Sequence, residues 1–183
     1  MLPVAQLIVA ETERLRVRPW RTGDLSPLTE MFGDPRFVKF TRGPMSREQV
    51  EEWMRFKQRL HQERGYSHWG VERLVDSRLI GYCGLAMQQL PEGSWLEIGY
   101  RLAQDCWGRG LATEAATACR DWAFANLDYG ELIAIIEPDN SRSIRVAEKL
   151  GMASRFDTVY HGRRVSVFGM DNPRGGEKGP YAS

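Results

Sequence analysis

The 183-residue sequence is poor in the residues that build metal centres, disulfide scaffolds and membrane spans. Its three cysteines, Cys83, Cys106 and Cys119, are odd in number and contain no C-x-x-C pair. In a chain of this size they exclude a disulfide framework and read as free thiols in a reducing compartment. Its three histidines, His61, His68 and His161, lie far apart in sequence, so no metal site is expected. Charge of one sign is lacking too: 25 Lys and Arg stand against 24 Asp and Glu. No basic stripe of the kind that tracks a nucleic-acid backbone stands out, so no nucleic-acid partner is expected. No apolar run is long enough to span a bilayer, and Met1 to Ala10 carries no basic leader. The expectation is a cytoplasmic protein with no membrane partner.

What is present suffices for one core, with 42% hydrophobic and 10% aromatic residues. Leu15 and Val17 alternate with arginines as in a half-buried strand, and Leu25, Leu28 and Phe32 recur at helical spacing. Ser46-x-x-Gln49 is a capping box that predicts a helix carrying Val50, Trp53 and Leu60. Three strands follow, at His68 to Glu72, Leu79 to Met87 (weakened, with a bulge expected, at Gly81 and Gly84) and Trp95 to Leu102. A long helix from Leu111 to about Asn126, a buried strand from Leu132 to Ile136 and a helix from Ser141 to Leu150, stopped by Gly151, come next. Met152 to Tyr160 and Arg164 to Met170 read as a hairpin around His161-Gly162. The order predicts an α/β fold of the α+β type with a mixed sheet, antiparallel first and then crossing over through a helix to a parallel strand. Residues 11–171 are expected to form a single domain, with 1–10 a lead and 172–183 a flexible tail.

The segment Trp107-Gly108-Arg109-Gly110-Leu111-Ala112-Thr113 joins a strand to the long helix. A helix start leaves backbone N–H groups without intrahelical partners, and its dipole favours negative charge there. Glycines let that backbone approach a phosphate, so the segment is a candidate pyrophosphate cradle in which Arg109 adds charge and Ala112 leaves room. It lacks the Gly-Lys-Ser/Thr of a P-loop, and Thr113 stands where a dinucleotide fingerprint wants glycine. The alternative for this segment is a tight helix start that holds no ligand.

Residues 107–115, ending Thr113-Glu114-Ala115, resemble the Trp-Gly-Lys/Arg-Gly-x-Ala-Thr-Glu-Ala run of the RimJ/RimL-like branch of the GNAT N-acetyltransferases. Trp107 replaces the Gln or Arg of the wider superfamily. Glu97-Ile98-Gly99-Tyr100-Arg101-Leu102, Asn140-x-x-Ser143 with Glu148 to Met152, and Glu13 to Trp20 are similar to further stretches of that branch, so the resemblance covers roughly residues 11–171. It implies a GNAT fold of about seven strands and four helices, with a parallel pair at a cofactor cleft. It implies acetyl-CoA as cofactor, with CoA as product. The residues that would bind it are Ile98, Tyr100, Leu102, Trp107, Gly108, Arg109, Gly110, Leu111, Ala112, Thr113, Asn140 and Ser143.

The implied reaction is direct acetyl transfer to a primary amine in a ternary complex, the acceptor being a protein N-terminus or a small amine, with a homodimer a common state of similar proteins. A free alkyl amine has a pKa near ~10, so a general base helps at neutral pH. Glu97 is the first choice, against the alternative of a carboxylate paired with a cross-strand arginine; Tyr160 and His161 are further choices. The backbone around Gly99 and Tyr100 is the candidate oxyanion donor. Many superfamily members carry an acidic Tyr seven residues after the motif asparagine, where this chain has Ala147, which leaves Ser143 as the candidate donor to the leaving sulfur. Asn140 either caps its helix or contacts the cofactor. Phe40, Trp69, Tyr160 and His161 are candidate acceptor contacts, and an aromatic cage from Trp20, Phe37, Phe40, Trp53 and Trp69 competes with a core role. Arg36, Lys39 and Arg42, in the segment from Pro35 to Met45, lean towards an acceptor with some negative charge. An acyl-CoA-binding module without turnover is the alternative function.

Overall fold

In a computed structural model that describes residues 8–176, the local signals above become twelve elements. These are β1 (Ala10–Glu11), β2 (Leu15–Arg18), α1 (Leu25–Gly33), α2 (Arg47–Arg64), β3 (His68–Arg73), β4 (Arg78–Leu90) and β5 (Gly93–Leu102). They continue with α3 (Leu111–Asn126), β6 (Glu131–Ile136), α4 (Ser141–Lys149), β7 (Ala153–Tyr160) and β8 (Arg163–Asp171). The Ser46 capping box forms in both directions, and the left-handed Gly65 ends the same helix. Gly151, at φ +89°, ends α4 in the same way.

The strands form one eight-stranded mixed sheet in the order β1-β2-β3-β4-β5-β6-β8-β7. All neighbours are antiparallel except β5 and β6, which run parallel through the α3 crossover. The eighth strand is β1, which is too short to leave a periodic signal. The bulge expected in β4 occurs at Ile80, beside Gly81, where the register to β3 slips. Gly84 keeps its register but is sterically required, because a Cβ there would lie 2.1 Å from the Ser67 carbonyl oxygen. The tail expected from residue 172 is tied down at its start. Asn172 is buried, its N–H donates to the Gly130 carbonyl at 2.8 Å, and its side chain donates to the Tyr129 carbonyl at 3.0 Å.

Each face of the sheet has its own core. Leu96, Ile98 and Leu102 of β5 pack with Leu111, Ala115 and Cys119 of α3 and with Ala147 and Leu150 beside it. On the other face, Trp20, Leu28, Phe32, Val50, Met54 and Tyr82 form a core under α1 and α2. Strand alternation therefore sends Glu97, Gly99 and Arg101 of β5 towards α1 and α2, and Tyr100 towards α3 and α4. Among the described residues no helix is long and apolar enough to cross a membrane, and no cluster of His, Cys, Asp and Glu is arranged to hold a metal ion.

Candidate active site

The parallel contact between β5 and β6 is short. Glu97 pairs with Ile133, and beyond that pair no further register between the two strands holds among the described residues. Leu85 N–H donates to the carbonyl of Ser67, just before β3, which turns the backbone of Leu85 away from its β5 partner Ile98. Ala103 N–H donates to Ile80 of β4. The alternation between these two points directs the N–H and C=O groups of Tyr100 and Leu102 to the β6 side, where the strands have parted. The same alternation turns the N–H of Gly99 towards β4, so of the two residues in the expected oxyanion region only Tyr100 presents its amide to the split.

From the split a cleft of about 490 Å³ runs between α3 and α4, lined by Tyr100, Leu102, Trp107, Gly108, Gly110 to Thr113 and Asn140 to Ser143. Gly108 and Gly110 hold φ of +74° and +76°, so the turn needs glycine for its conformation; a Cβ on Gly108 would meet no neighbour within 4 Å. Gly110 is the N-cap of α3 and supplies no side-chain cap, which leaves the first-turn N–H groups of Leu111, Ala112 and Thr113 facing the cleft. The turn is braced from behind. Arg14 donates to the Arg109 carbonyl at 3.0 Å and pairs with Glu114, which also accepts from Thr12 at 2.6 Å.

The Arg109 side chain is exposed and is not among the residues that line the cleft, while its carbonyl accepts from Arg14. The cations that line the cleft are Arg36 and Lys39 before α2, Arg101 of β5, and Arg142, Arg145 and Lys149 at and beyond the first turn of α4. Arg142 stacks over the Trp107 ring at 4.3 Å, and Trp107 in turn donates its indole N–H to the Leu102 carbonyl at 2.8 Å. The Ile98 side chain is 1% exposed within the α3 core and does not line the cleft, which leaves its backbone as the part able to meet a ligand.

At the head of α4, Asn140 caps the helix by accepting from the Ser143 N–H at 3.3 Å while it also lines the cleft. The Tyr100 hydroxyl donates to the Ser143 carbonyl at 2.8 Å and so pins α4 to β5. Burial holds this phenol well above its usual pKa, so it stays protonated. Ala147 is fully buried beneath it in the α3 core, so its position does not face the cleft, whereas Ser143, one turn earlier, does.

On the opposite face, the Glu97 carboxylate accepts from the Gln88 amide and from the backbone N–H of Ile135. The bond from Ile135 fills the gap opened by the parting strands. Tyr160 donates to Gln88 Oε1 at 2.7 Å, so a chain Tyr160–Gln88–Glu97 fixes the orientation of the carboxylate. Burial raises the pKa of Glu97, opposed by the Gln88 and Ile135 hydrogen bonds and by the charges of Lys57 and Arg101. No cross-strand arginine pairs directly with it among the described residues. Burial likewise raises Tyr160, to about 12.

The rim above Glu97 is formed by the segment before α2 and the β7–β8 turn, joined where Arg42 meets His161 Nδ1 at 3.3 Å. Phe40 lies on this rim and lines the cleft. Trp69 is corrected: it is 0% exposed on the α3 face, meets Trp122 edge to face and donates to His61, so it is a core residue. Trp20, Phe37 and Trp53 likewise belong to the α1–α2 core rather than to an open cage. Sequence reasoning missed Gln88, Lys57 and Arg101 on this side, and Arg142, Arg145 and Lys149 on the side of α4. Lys57 left a signal, a lysine at i+7 from Val50 and i+3 from Met54 in the buried stripe of α2.

Residues 14–153 match the family model described as an acetyltransferase (GNAT) domain. YkkB of Bacillus subtilis, an uncharacterized protein, is 38% identical over 142 residues, which are 77% of this chain and 83% of that protein. An acetyltransferase structure from Agrobacterium tumefaciens superposes with a TM-score of 0.76 at 26% identity, covering 88% of this chain and 92% of the other. RimL, a ribosomal L7/L12 alpha-N-protein acetyltransferase solved with coenzyme A, shares the fold with a TM-score of 0.75 at 17% identity, over 90% and 97% of the two chains.

Proposed function

Because the chain belongs to the GNAT acetyltransferase family, we propose that it transfers the acetyl group of acetyl-CoA to a primary amine by direct attack in a ternary complex, as a RimJ/RimL-like member. The observation that carries this reading is the split between β5 and β6, with Glu97 on one side of it and a basic cleft leading to the open N-terminus of α3 on the other.

The residues present fit acetyl-CoA. The free N–H groups at the head of α3 and the cations Arg142, Arg145 and Lys149 suit a pyrophosphate. The backbone of Leu102 suits the amides of a pantetheine arm, and the N–H of Tyr100 suits a developing oxyanion. When bound, acetyl-CoA supplies an activated acyl thioester. Glu97 takes the proton of the amine, directly or through water, and its raised proton affinity brings it closer to the operating pH. Gln88 and Tyr160 hold that carboxylate in place. The hydroxyl of Ser143, held by Asn140 and Tyr100, serves the leaving sulfur as a hydrogen-bond donor.

Thiol release from acetyl-CoA over a panel of small amines and peptides with varied N-termini tests the reading. Turnover that is lost in Glu97→Gln while CoA affinity persists supports it. Tight acetyl-CoA binding with no turnover on any amine would instead make the protein an acyl-CoA-binding module.

A further inference from the structure

The face of the sheet that carries Glu97 holds more positive charge and more unpartnered polar atoms than the proposed acetyl transfer uses. Arg101 follows Glu97 on the same face of β5 and lies over the rings of Phe37 and Tyr82, at 5.8 and 5.9 Å. Its Nη2 reaches the Phe40 carbonyl at 3.5 Å, but Nη1 is buried without a hydrogen-bond partner. Lys57 comes from α2, is 8% exposed, and lies 5.5 Å from the centre of the Trp53 ring.

Both cations act on His68 of β3. Its ring spans two glycines, Gly84 and Gly99, which oppose it across β4 and β5. A Cβ on Gly99 would come within 2.8 Å of its Nε2. Trp53 stacks on the imidazole at 6.4 Å and Tyr82 tilts against it at 5.3 Å. Both ring nitrogens are buried and unpartnered. Burial, Lys57 and Arg101 all push its pKa well down, so the ring is neutral and offers one donor and one acceptor.

The carboxylate that Lys57 and Arg101 face is Glu97. Two cations against one carboxylate leave an excess of positive charge, and the excess grows when Glu97 takes up a proton. Buried charges and unpartnered polar atoms are costly unless something satisfies them. A ligand carrying an anionic oxygen group would satisfy Nη1 of Arg101, the Lys57 ammonium and a ring N–H of His68 together. Gly99 lies two residues beyond Glu97, about 7 Å along the strand, so one small molecule can present an amine to the first and an anion near the second. The Arg42–His161 bridge across the rim favours an occupant of that size.

We infer that the acceptor is a small amine bearing a carboxylate or phosphate, and that Arg101, Lys57 and His68 form the subsite that receives this anion. The inference rests on the proposed acetyl transfer for the identity of the reaction, but not for the existence of the subsite. Thiol release is measured for pairs that differ only in the anion: amino acids against their amides and their decarboxylated amines, and phosphoethanolamine against ethanolamine. Within the pairs the anionic member is expected to show a kcat/KM at least about tenfold higher, since a charge-assisted hydrogen bond contributes that much or more. The carboxylate and phosphate arms tell the two anions apart.

In Arg101→Met and Lys57→Met the preference should collapse through the acceptor KM, and Arg101→Lys should restore part of it. Calorimetric titration of the same compounds onto the CoA-loaded protein provides a second readout. Anion binding that is lost in Arg101→Met supports the subsite even if no compound turns over, an outcome that counts against acetyl transfer alone. Neutral or cationic amines used as well as the anionic ones, a preference unchanged in both methionine variants, or no anion binding at all would overturn the inference.

Discussion

The two sides of β5 are built by different means. On the α3 and α4 side, the site is built chiefly from backbone groups, the amides of Tyr100 and Leu102, the turn at Gly108 and Gly110 and the first turn of α3, with the α4 side chains Arg142, Ser143, Arg145 and Lys149 added to them. On the α1 and α2 side they are side chains gathered from five places: Lys57 from α2, His68 from β3, Gln88 from β4, Glu97 and Arg101 from β5, and Tyr160 at the end of β7. A backbone site depends on a contiguous stretch with glycine where φ is positive, and it serves any chain that binds the same cofactor. A side-chain site depends on tertiary packing and is free to change with the acceptor. The proposed division of labour, donor on one side and acceptor on the other, follows from that difference.

Substitutions on the two sides should therefore separate acceptor chemistry from cofactor binding. The largest effect is expected for Glu97→Gln, which removes the proposed base while keeping a hydrogen-bonding shape. A loss of about 10²- to 10⁴-fold in kcat, with CoA affinity by calorimetry within about twofold of wild type, would keep the two sides distinct. Next is Gly110→Ala, which forces alanine to φ +76°. The left-handed strain of about 1–2 kcal/mol should appear as a lower Tm and as a rise of about tenfold in the KM for acetyl-CoA, with the acceptor KM little changed.

A smaller loss, about two- to tenfold in kcat, is expected for Tyr160→Phe, which frees Gln88 and loosens the Glu97 carboxylate. Because burial raises Tyr160 to about 12, it is a phenol at neutral pH and its loss should not alter the basic limb of the profile there. The smallest is Ser143→Ala, about threefold or less in kcat, since its carbonyl still receives Tyr100 and Asn140 still caps the helix through the Ser143 N–H. A loss as large as that of Glu97→Gln would make Ser143 a true acid and break the ranking.

The same contrast explains what the sequence disclosed. The glycine turn, the capping box at Ser46, the N-cap at Asn140 and the alternation in β5 are local, and each occurs where its residues predict. The insertion of β8 between β6 and β7 is not local, because a hairpin pattern does not say which of its strands joins the sheet. Trp69 and Trp53 look alike in sequence, yet they sit on opposite faces, one in the α3 core and the other in the α1–α2 core beside His68. Gln88 carries no signal at all, since its partners Glu97 and Tyr160 are nine and 72 residues away. Arg142, Arg145 and Lys149 fall at i, i+3 and i+7 on α4, a spacing that puts them on one basic face behind Asn140, yet the charge is expected at Arg109 because it sits within the glycine turn.

The central claim is that Glu97, perturbed by burial at the strand split, is the base. The pH dependence of kcat/KM for the acceptor tests it most directly, compared between the wild type and Glu97→Gln. The base must be ionised to act, so wild-type activity should rise with pH through an acid limb lying above the usual carboxylate range, because burial raises the pKa of Glu97. A second rise, from the amine itself, is common to both proteins. The account predicts that the acid limb is missing in Glu97→Gln. An identical limb in both proteins, at undiminished rate, would contradict it.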